Sequence, residues 1–124
     1  MVPVKTITYS KSGGPLKVCF KFHGLIAAAY TYTLWAADQN TQLEKHTGNN
    51  MNTADDEYTL PAGNKGEIID LLSTFRGLPV GDSTNYGIII EVYQDGKLLD
   101  SDTESGDIGN ESKISQLFVQ LNEK

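Results

Sequence analysis

The sequence predicts a mainly β protein built as an antiparallel, two-sheet β-sandwich. The strongest observation is the run from Tyr86 to Leu99, in which β-branched and aromatic residues meet Asp95-Gly96 and then continue as a second apolar segment. Asp-Gly accepts the positive φ angles of a two-residue type I′ turn, so this run is typical of a β-hairpin. Turn residues recur along the chain at intervals of roughly ten to fifteen residues, as in a sandwich of short strands.

The first strands are indicated by the alternation of apolar and polar residues. Val4 to Tyr9 follows Pro3 and is predicted to be an edge strand, because an edge tolerates the missing N–H of proline. Leu16 to His23 alternates between an apolar and a charged face, as a half-buried strand does. In Ala27 to Ala37, β-branched and aromatic residues favour a strand over a helix, and Glu57 to Leu60 is a short strand.

One segment in the middle of the chain fits two structures. Apolar side chains from Ile68 to Phe75 fall at helical spacing, and Asn64 with Glu67 three residues later is typical of a helix N-terminus. These features predict a short helix near residues 65–75. The same apolar run also gives a tolerable period of two, so helix and strand both remain open at the level of sequence.

The remaining chain completes the predicted sandwich. Asp100 to Ser112 is predicted to be a long acidic loop, and Ile114 to Leu121 alternates as a last strand. The total of about seven or eight short strands indicates an immunoglobulin-like architecture. The cysteine–tryptophan–cysteine spacing of antibody domains is absent, so this expectation concerns the architecture and no particular family is indicated.

Size and composition bound the class of protein and its partners. The length predicts a single domain over residues 1–124, with a core that needs no disulfide. A net charge of −6, with scattered basic residues, disfavours a nucleic-acid partner and anionic membrane surfaces. No apolar run reaches the length of a membrane-spanning helix, so no membrane insertion is expected.

The sequence leaves the cellular compartment open. Cys19 is the only cysteine, so no disulfide can form within the chain. The first residues lack the apolar stretch of a signal peptide. A cytoplasmic protein and an exported module that has lost its leader both fit these features.

The predicted acidic loop is the main candidate for a metal site. Ca²⁺ takes roughly six to eight oxygen ligands, which closely spaced carboxylates supply. The EF-hand pattern fails here at its glycine and at its preceding helix, so a calcium loop of another kind is one alternative for this segment. Its ligands would be Asp100, Asp102, Glu104, Asp107 and Glu111. The other alternative, which the sequence favours over calcium, is a solvated loop whose charges keep a sheet edge from pairing with other chains. No other cofactor is expected.

Aromatic residues indicate a second kind of site. Tyr30, Tyr32, Trp35 and Tyr93 are candidates for an exposed patch that stacks on a carbohydrate or packs against a protein. Tyr30 and Tyr32 share one face of their strand while Trp35 lies on the other, and one of these faces must belong to the core. Only some of these rings are therefore expected to reach solvent.

No catalytic signature is present. Cys19 and His23 share one strand face, and four residues at ~3.3 Å each separate them by about 13 Å, too far for a nucleophile and its base. Phosphate-loop and nucleophile-elbow motifs are absent as well. We therefore expect a non-catalytic binding or interaction module with a protein or carbohydrate ligand.

Several alternatives stay open beside this expectation. An assembly subunit would use the edge strand Val4 to Tyr9 to add a strand to a neighbour. A calcium-binding module would use the acidic loop, and a hydrolase would need a cleft that holds a titratable group of perturbed pKa. By analogy with other sandwiches, the segments favoured for binding are Thr47 to Asp56, Leu78 to Asn85 and Asp100 to Ser112.

Overall fold

A computed structural model describes residues 4–51, 56–61, 63–78 and 84–124. These residues form nine strands and no helix. The strands are β1 (Val4–Tyr9), β2 (Leu16–His23), β3 (Ile26–Trp35), β4 (Gln42–Asn49), β5 (Glu57–Thr59), β6 (Ile68–Gly77), β7 (Thr84–Gln94), β8 (Lys97–Ile108) and β9 (Ser112–Glu123). Within the described ranges there is thus no helix long and apolar enough to cross a membrane.

The strands form two sheets that pack face to face. The larger sheet has five strands in the order β1-β9-β6-β3-β4, and the smaller has four in the order β5-β2-β7-β8. Neighbouring strands are antiparallel, except that β1 and β9 pair in parallel. The predicted all-β sandwich is therefore confirmed, with one parallel pair and one strand more than the largest number expected. The immunoglobulin-like arrangement remains a prediction.

The core lies between the sheets and takes every second side chain of most strands. In β3, Tyr30, Tyr32 and Leu34 point inward and are at most 3% exposed. The inner faces of β6, β7 and β9 add Ile69, Leu71, Phe75, Ile88, Ile90, Val92, Leu117, Val119 and Leu121. Because successive residues of a strand point to opposite faces, the intervening residues form the two outer faces of the sandwich.

The predicted helix near residues 65–75 is wrong, because β6 runs through this segment from Ile68 to Gly77. It is a central strand, hydrogen-bonded to β3 on one side and to β9 on the other. Two ladders satisfy its backbone groups, and alternate side chains from Ile69 to Phe75 enter the core. Pairing with two neighbours outweighs the local helical spacing, which is the usual way tertiary context overrides propensity.

Asn64 and Glu67 form a turn ahead of β6 in place of the expected helix start. The Glu67 N–H donates to the Asn64 carbonyl at 3.0 Å, and the Asn64 side-chain amide donates to the Glu67 carboxylate at 2.7 Å. Gly66 lies between them with φ of 79°, a conformation that glycine adopts without strain. Both side chains are buried at this end of the sandwich.

The acidic segment predicted as a loop from Asp100 to Ser112 is mostly strand, because β8 continues to Ile108. The Asp95-Gly96 turn has φ angles of 53° and 77°, as a type I′ hairpin requires, so the predicted hairpin is confirmed. From this turn the β7–β8 ladder continues along both strands to their far ends. The long partner strand holds the carboxylates of β8 in extended backbone.

The segments favoured for binding lie only partly within the described residues. The first begins inside β4, which continues to Asn49, and the third is largely β8. Residues 52–55 and 79–83, which make up much of the first two segments, lie outside the described residues. Leu78, which precedes them, donates its N–H to the Leu25 carbonyl at 2.9 Å and so ties the end of β6 to the turn between β2 and β3.

Candidate functional site

The outer face of the five-stranded sheet carries a group of aromatic, apolar and polar side chains that we call the outer platform. It consists of Val4, Trp35, Ile68, Asp70, Gln116 and Phe118, which come from β1, β3, β6 and β9. Together with Gln39 they line a shallow depression of about 570 Å³. Two large rings and several hydrogen-bonding groups thus share one accessible surface.

Strand register brings the outer platform together. Phe118 stands beside Asp70 on one side and beside Val4 on the other, and Ile68 stands beside Trp35. Trp35 and Phe118 lie on strands separated by β6 and are offset by two residues, so their Cα atoms are about 12 Å apart. The two rings therefore flank Asp70 from opposite sides.

Asp70 is held in place by both of its neighbouring strands. The Trp35 indole N–H donates to Oδ2 of Asp70 at 3.0 Å, and the Gln116 side-chain amide donates to Oδ1 at 3.0 Å. Each carboxylate oxygen accepts one hydrogen bond and keeps the capacity for another. The carboxylate is consequently oriented before any ligand arrives, and so are the indole and the amide that hold it.

The turn after β3 supports the Trp35 side of the outer platform. Asp38 accepts hydrogen bonds from the Thr41 hydroxyl at 2.7 Å and from the backbone N–H groups of Asn40 and Thr41 at 2.8 and 2.9 Å. These bonds, that of the hydroxyl foremost, lower the pKa of Asp38. Gln39 sits in this turn with φ of 60° and contributes its side of the depression.

The outer face around the platform carries little charge. Among its described outward-pointing residues, the charged ones are Asp70, Lys45 and Arg76. Leu72 and Ile114 are exposed there, at 39% and 72%. Since Asp70 is the one acidic residue among the described outward-pointing residues, the other described acidic residues lie in turns or on other faces.

Tyr30 and Tyr32, two of the predicted patch residues, lie in the core. They are 3% and 0% exposed and pack edge-on against Phe20. The Tyr30 hydroxyl donates to Asp56 at 2.7 Å and lies 2.7 Å from the Tyr58 hydroxyl. Burial, and then the hydrogen bonds to Tyr58 and Asp56, raises the pKa of Tyr30. The expectation of a surface role for these two rings is corrected, because the tyrosine face of β3 is the one that packs against the other sheet.

Tyr93 lies on the outer face of the four-stranded sheet. Its hydroxyl donates to Glu91 at 2.9 Å, and Lys21 pairs with the same carboxylate at 2.9 Å. Partial burial favours the neutral form of Glu91, but the hydrogen bonds from Lys21 and Tyr93 outweigh it and lower the pKa of Glu91. The thickness of the sandwich separates Tyr93 from Trp35, so the four predicted rings do not form one patch.

The acidic residues of β8 are spread along an extended edge strand. Asp100, Asp102 and Glu104 occupy alternate positions, so the Cα atoms of neighbouring carboxylates are roughly 6.6 Å apart. They point toward the inner side of the sandwich, where Asp100 pairs with Lys5 of β1 at 3.2 Å. Inward-pointing charges on an edge strand hinder its pairing with another chain, which fits the alternative given for this segment.

This placement does not support the calcium alternative. Asp107 points to the opposite face of β8, and Glu111 follows the strand in the turn before β9. In the part of the chain that the structure describes, no three His, Cys, Asp or Glu side chains come together in a way that holds a metal ion. An extended strand cannot wrap its carboxylates around one point. The predicted set was Asp100, Asp102, Glu104, Asp107 and Glu111.

Three platform residues, Asp70, Gln116 and Phe118, carry only a weak signal in the sequence. Phe118 stands between the core positions Leu117 and Val119, so period-two alternation places it on the outer face. An aromatic ring on a mostly polar strand face is the pattern that points to it. Asp70 has no such signal, because its segment also fits a helix.

No family model, curated protein or solved structure matches this chain. The function therefore has to be inferred from the outer platform and its surroundings.

Proposed function

We propose that this protein is a non-catalytic carbohydrate-binding module and that the outer platform is its binding site. The observation that supports this most directly is the placement of Trp35 and Phe118 on either side of Asp70. Both oxygens of that carboxylate are already oriented by hydrogen bonds from the platform itself. A preorganised site loses less freedom when it binds a ligand, which favours affinity.

The chemistry of a sugar fits this combination of groups. A sugar ring has a face of C–H groups, which packs on an aromatic ring, and a rim of hydroxyls, which hydrogen-bond to carboxylates and amides. Trp35 and Phe118 offer the rings, and Asp70 and Gln116 offer the polar groups. Hydrogen bonds to an ionised acceptor such as Asp70 are stronger than bonds between neutral groups.

The surroundings of the platform support the same ligand class. Uncharged hydroxyl and amide side chains dominate the outer face: Thr6, Thr31, Thr47, Asn49 and Gln120. A protein partner would be better matched by a continuous apolar centre with a polar rim. Here apolar and hydrogen-bonding groups alternate, as they do on a carbohydrate.

Trp35 provides a direct test, because it is the only tryptophan of the chain. We expect neutral oligosaccharides, screened as cellohexaose, xylohexaose, mannohexaose and laminarihexaose, to change its fluorescence in a saturable way. The Phe118→Ala variant should bind the positive sugar about tenfold more weakly, because a buried aromatic contact is commonly worth more than 1 kcal/mol.

The matched control is Tyr93→Ala, which removes a partly buried ring from the outer face of the other sheet. It should leave the fluorescence titration unchanged. The proposal fails if none of these sugars changes the emission, or if Tyr93→Ala weakens binding as much as Phe118→Ala does.

The assembly role is a second candidate, supported by the position of β1. This strand lies at the end of the five-stranded sheet and has β9 as its neighbour there. A strand from another chain, added at its outer side, would extend the sheet. Light scattering over a range of concentrations should then show a rise in mass. A constant monomer mass would remove this candidate and leave the carbohydrate proposal standing.

A further inference from the structure

We infer that Asp70 makes the outer platform selective for uncharged sugars and excludes acidic ones. This inference rests on the proposed function and specifies its ligand: a neutral chain whose hydroxyls donate to the carboxylate. Asp70 would then be the residue that determines specificity, while Trp35 and Phe118 supply contact area that neutral and acidic sugars share.

Asp70 has no opposite charge beside it within the described residues. The ion pairs of these residues join other side chains. By register, Lys45 lies two strands away on the same face, about 10 Å between Cα atoms, and Arg76 lies six residues along β6, about 20 Å away. The negative charge is therefore presented at the centre of the platform without a neighbouring cation to neutralise it.

The donors nearest to Asp70 are already directed at it. The N–H groups of Trp35 and Gln116 that point toward the carboxylate are used in holding it. On the carboxylate itself, what remains are acceptor lone pairs, which need a ligand that donates. A sugar hydroxyl donates, whereas an ionised sugar carboxylate or sulfate offers only acceptors and a second negative charge.

Electrostatics acts in the same direction. Like charges brought together at an interface are strongly unfavourable, and this is a common basis for rejecting the wrong partner. The net charge of −6 adds a weaker, longer-range repulsion of any polyanionic sugar. The local and the global effect predict the same preference, so an experiment has to separate them.

The test compares the neutral hexasaccharides named above with hexagalacturonate and hexamannuronate, by calorimetry at low salt. Wild-type protein should bind its best neutral sugar at least about tenfold more tightly than either acidic one. Asp70→Asn should weaken binding of the neutral sugar and reduce the ratio of the neutral to the acidic affinity to about threefold or less. Glu91→Gln is the matched control: it also removes one hydrogen-bonded carboxylate from an outer face, but from the other sheet. It should leave the ratio of the neutral to the acidic affinity unchanged.

A salt series on wild-type protein tests the electrostatic basis of this inference, so a poorly folded Asp70→Asn protein does not block the test. Near 1 M salt the screening length falls to about 3 Å. The affinity of the wild-type protein for the acidic sugars should then approach its affinity for the neutral ones. Acidic sugars that bind wild-type protein as tightly as neutral ones overturn this inference while the proposed function survives. The inference is also overturned if Glu91→Gln reduces the ratio of the neutral to the acidic affinity as much as Asp70→Asn does. It is overturned as well if salt leaves this ratio unchanged. If no sugar of either class binds, the proposed function itself is wrong.

Discussion

Two tyrosines on the inner face of β3 differ in what their hydroxyls contact. The Tyr30 hydroxyl is hydrogen-bonded to Asp56 and Tyr58, whereas the buried Tyr32 hydroxyl has no hydrogen-bond partner among the described residues. Both rings pack on Phe20, with centroids 5.4 and 5.1 Å from it. The pair therefore separates the effect of a buried hydroxyl from that of the ring that carries it.

We predict opposite effects of removing these two hydroxyls. Tyr32→Phe should raise the free energy of unfolding by about 1 kcal/mol, because an unpaired buried hydroxyl is costly. Tyr30→Phe should lower it by about 1 kcal/mol, because its partners lose a hydrogen bond. Urea denaturation measures both changes, provided that the unfolding free energy depends on urea concentration with the same slope in wild type and variants. Equal destabilisation by the two variants would show that the Tyr32 hydroxyl is satisfied in solution.

Glu67 links the stability of the protein to pH. Burial raises its pKa above the ordinary 4.5; the hydrogen bond from Asn64 opposes this rise, and the charge of Glu44 adds to it. Between 4.5 and the raised value, the folded protein binds the Glu67 proton more tightly than the unfolded chain does. The contribution of Glu67 to stability therefore decreases as pH rises through this window, and it stays lower above it.

Glu67→Gln should remove this pH-dependent term, because glutamine resembles the protonated acid and still accepts from Asn64. The variant should be more stable than wild type near pH 7, and the difference should shrink toward about pH 4. Denaturation midpoints of both proteins across this range provide the measurement. A difference that is constant with pH, or that grows toward acid, would contradict the assignment to Glu67.

At the level of elements, the β7–β8 hairpin is closed by a turn that requires positive φ angles at Asp95 and Gly96. Gly96 has φ of 77°, and a Cβ there would meet nothing within 4 Å. Gly109 is equally open, but its φ lies outside the left-handed region. Space is therefore not the variable that distinguishes these two glycines.

Gly96→Ala should destabilise the protein by about 1–2 kcal/mol, the cost of holding a residue with a Cβ in the left-handed region. Gly109→Ala should change stability by a few tenths of a kcal/mol at most, since an unstrained site loses nothing. Thermal unfolding of the two variants tests the difference. Similar losses in both would mean that the Asp95-Gly96 turn does not limit the hairpin.

Elements with strong local signals are predictable from the sequence, and those set by their neighbours are not. The Asp-Gly turn and the alternation of β2 are local properties. The structure has this turn and this strand where the sequence predicts them. β6 is a strand because β3 and β9 lie beside it, and β8 extends through an acidic segment because β7 does. Neither neighbour is visible in a single segment of sequence.

At the scale of the whole molecule, the same limit explains how much of the candidate site was foreseeable. Alternation along β3 separates Trp35 from Tyr30 and Tyr32, but it does not say which face is buried. The outer platform needs β3, β6, β9 and β1 to be neighbours, an order that the chain order does not reveal. Asp70 and Phe118 become a pair only through that order.

The charge distribution of the whole sandwich is part of the account as well. The outer face of the five-stranded sheet carries few charges, while β8, at the edge of the four-stranded sheet, directs Asp100, Asp102 and Glu104 toward the inner side of the sandwich. An edge protected by charge and a face kept nearly free of it fit a molecule that exposes one surface for binding.

The most direct test of this account is a map of amide chemical-shift changes on addition of the best neutral hexasaccharide. We predict saturable changes concentrated in β3, β6 and β9 around Trp35, Asp70 and Phe118, with β2, β7 and β8 unaffected. Changes centred on the four-stranded sheet or on the segment from Asp100 to Glu111, or no change with any sugar, would contradict the central claim that the outer platform binds carbohydrate.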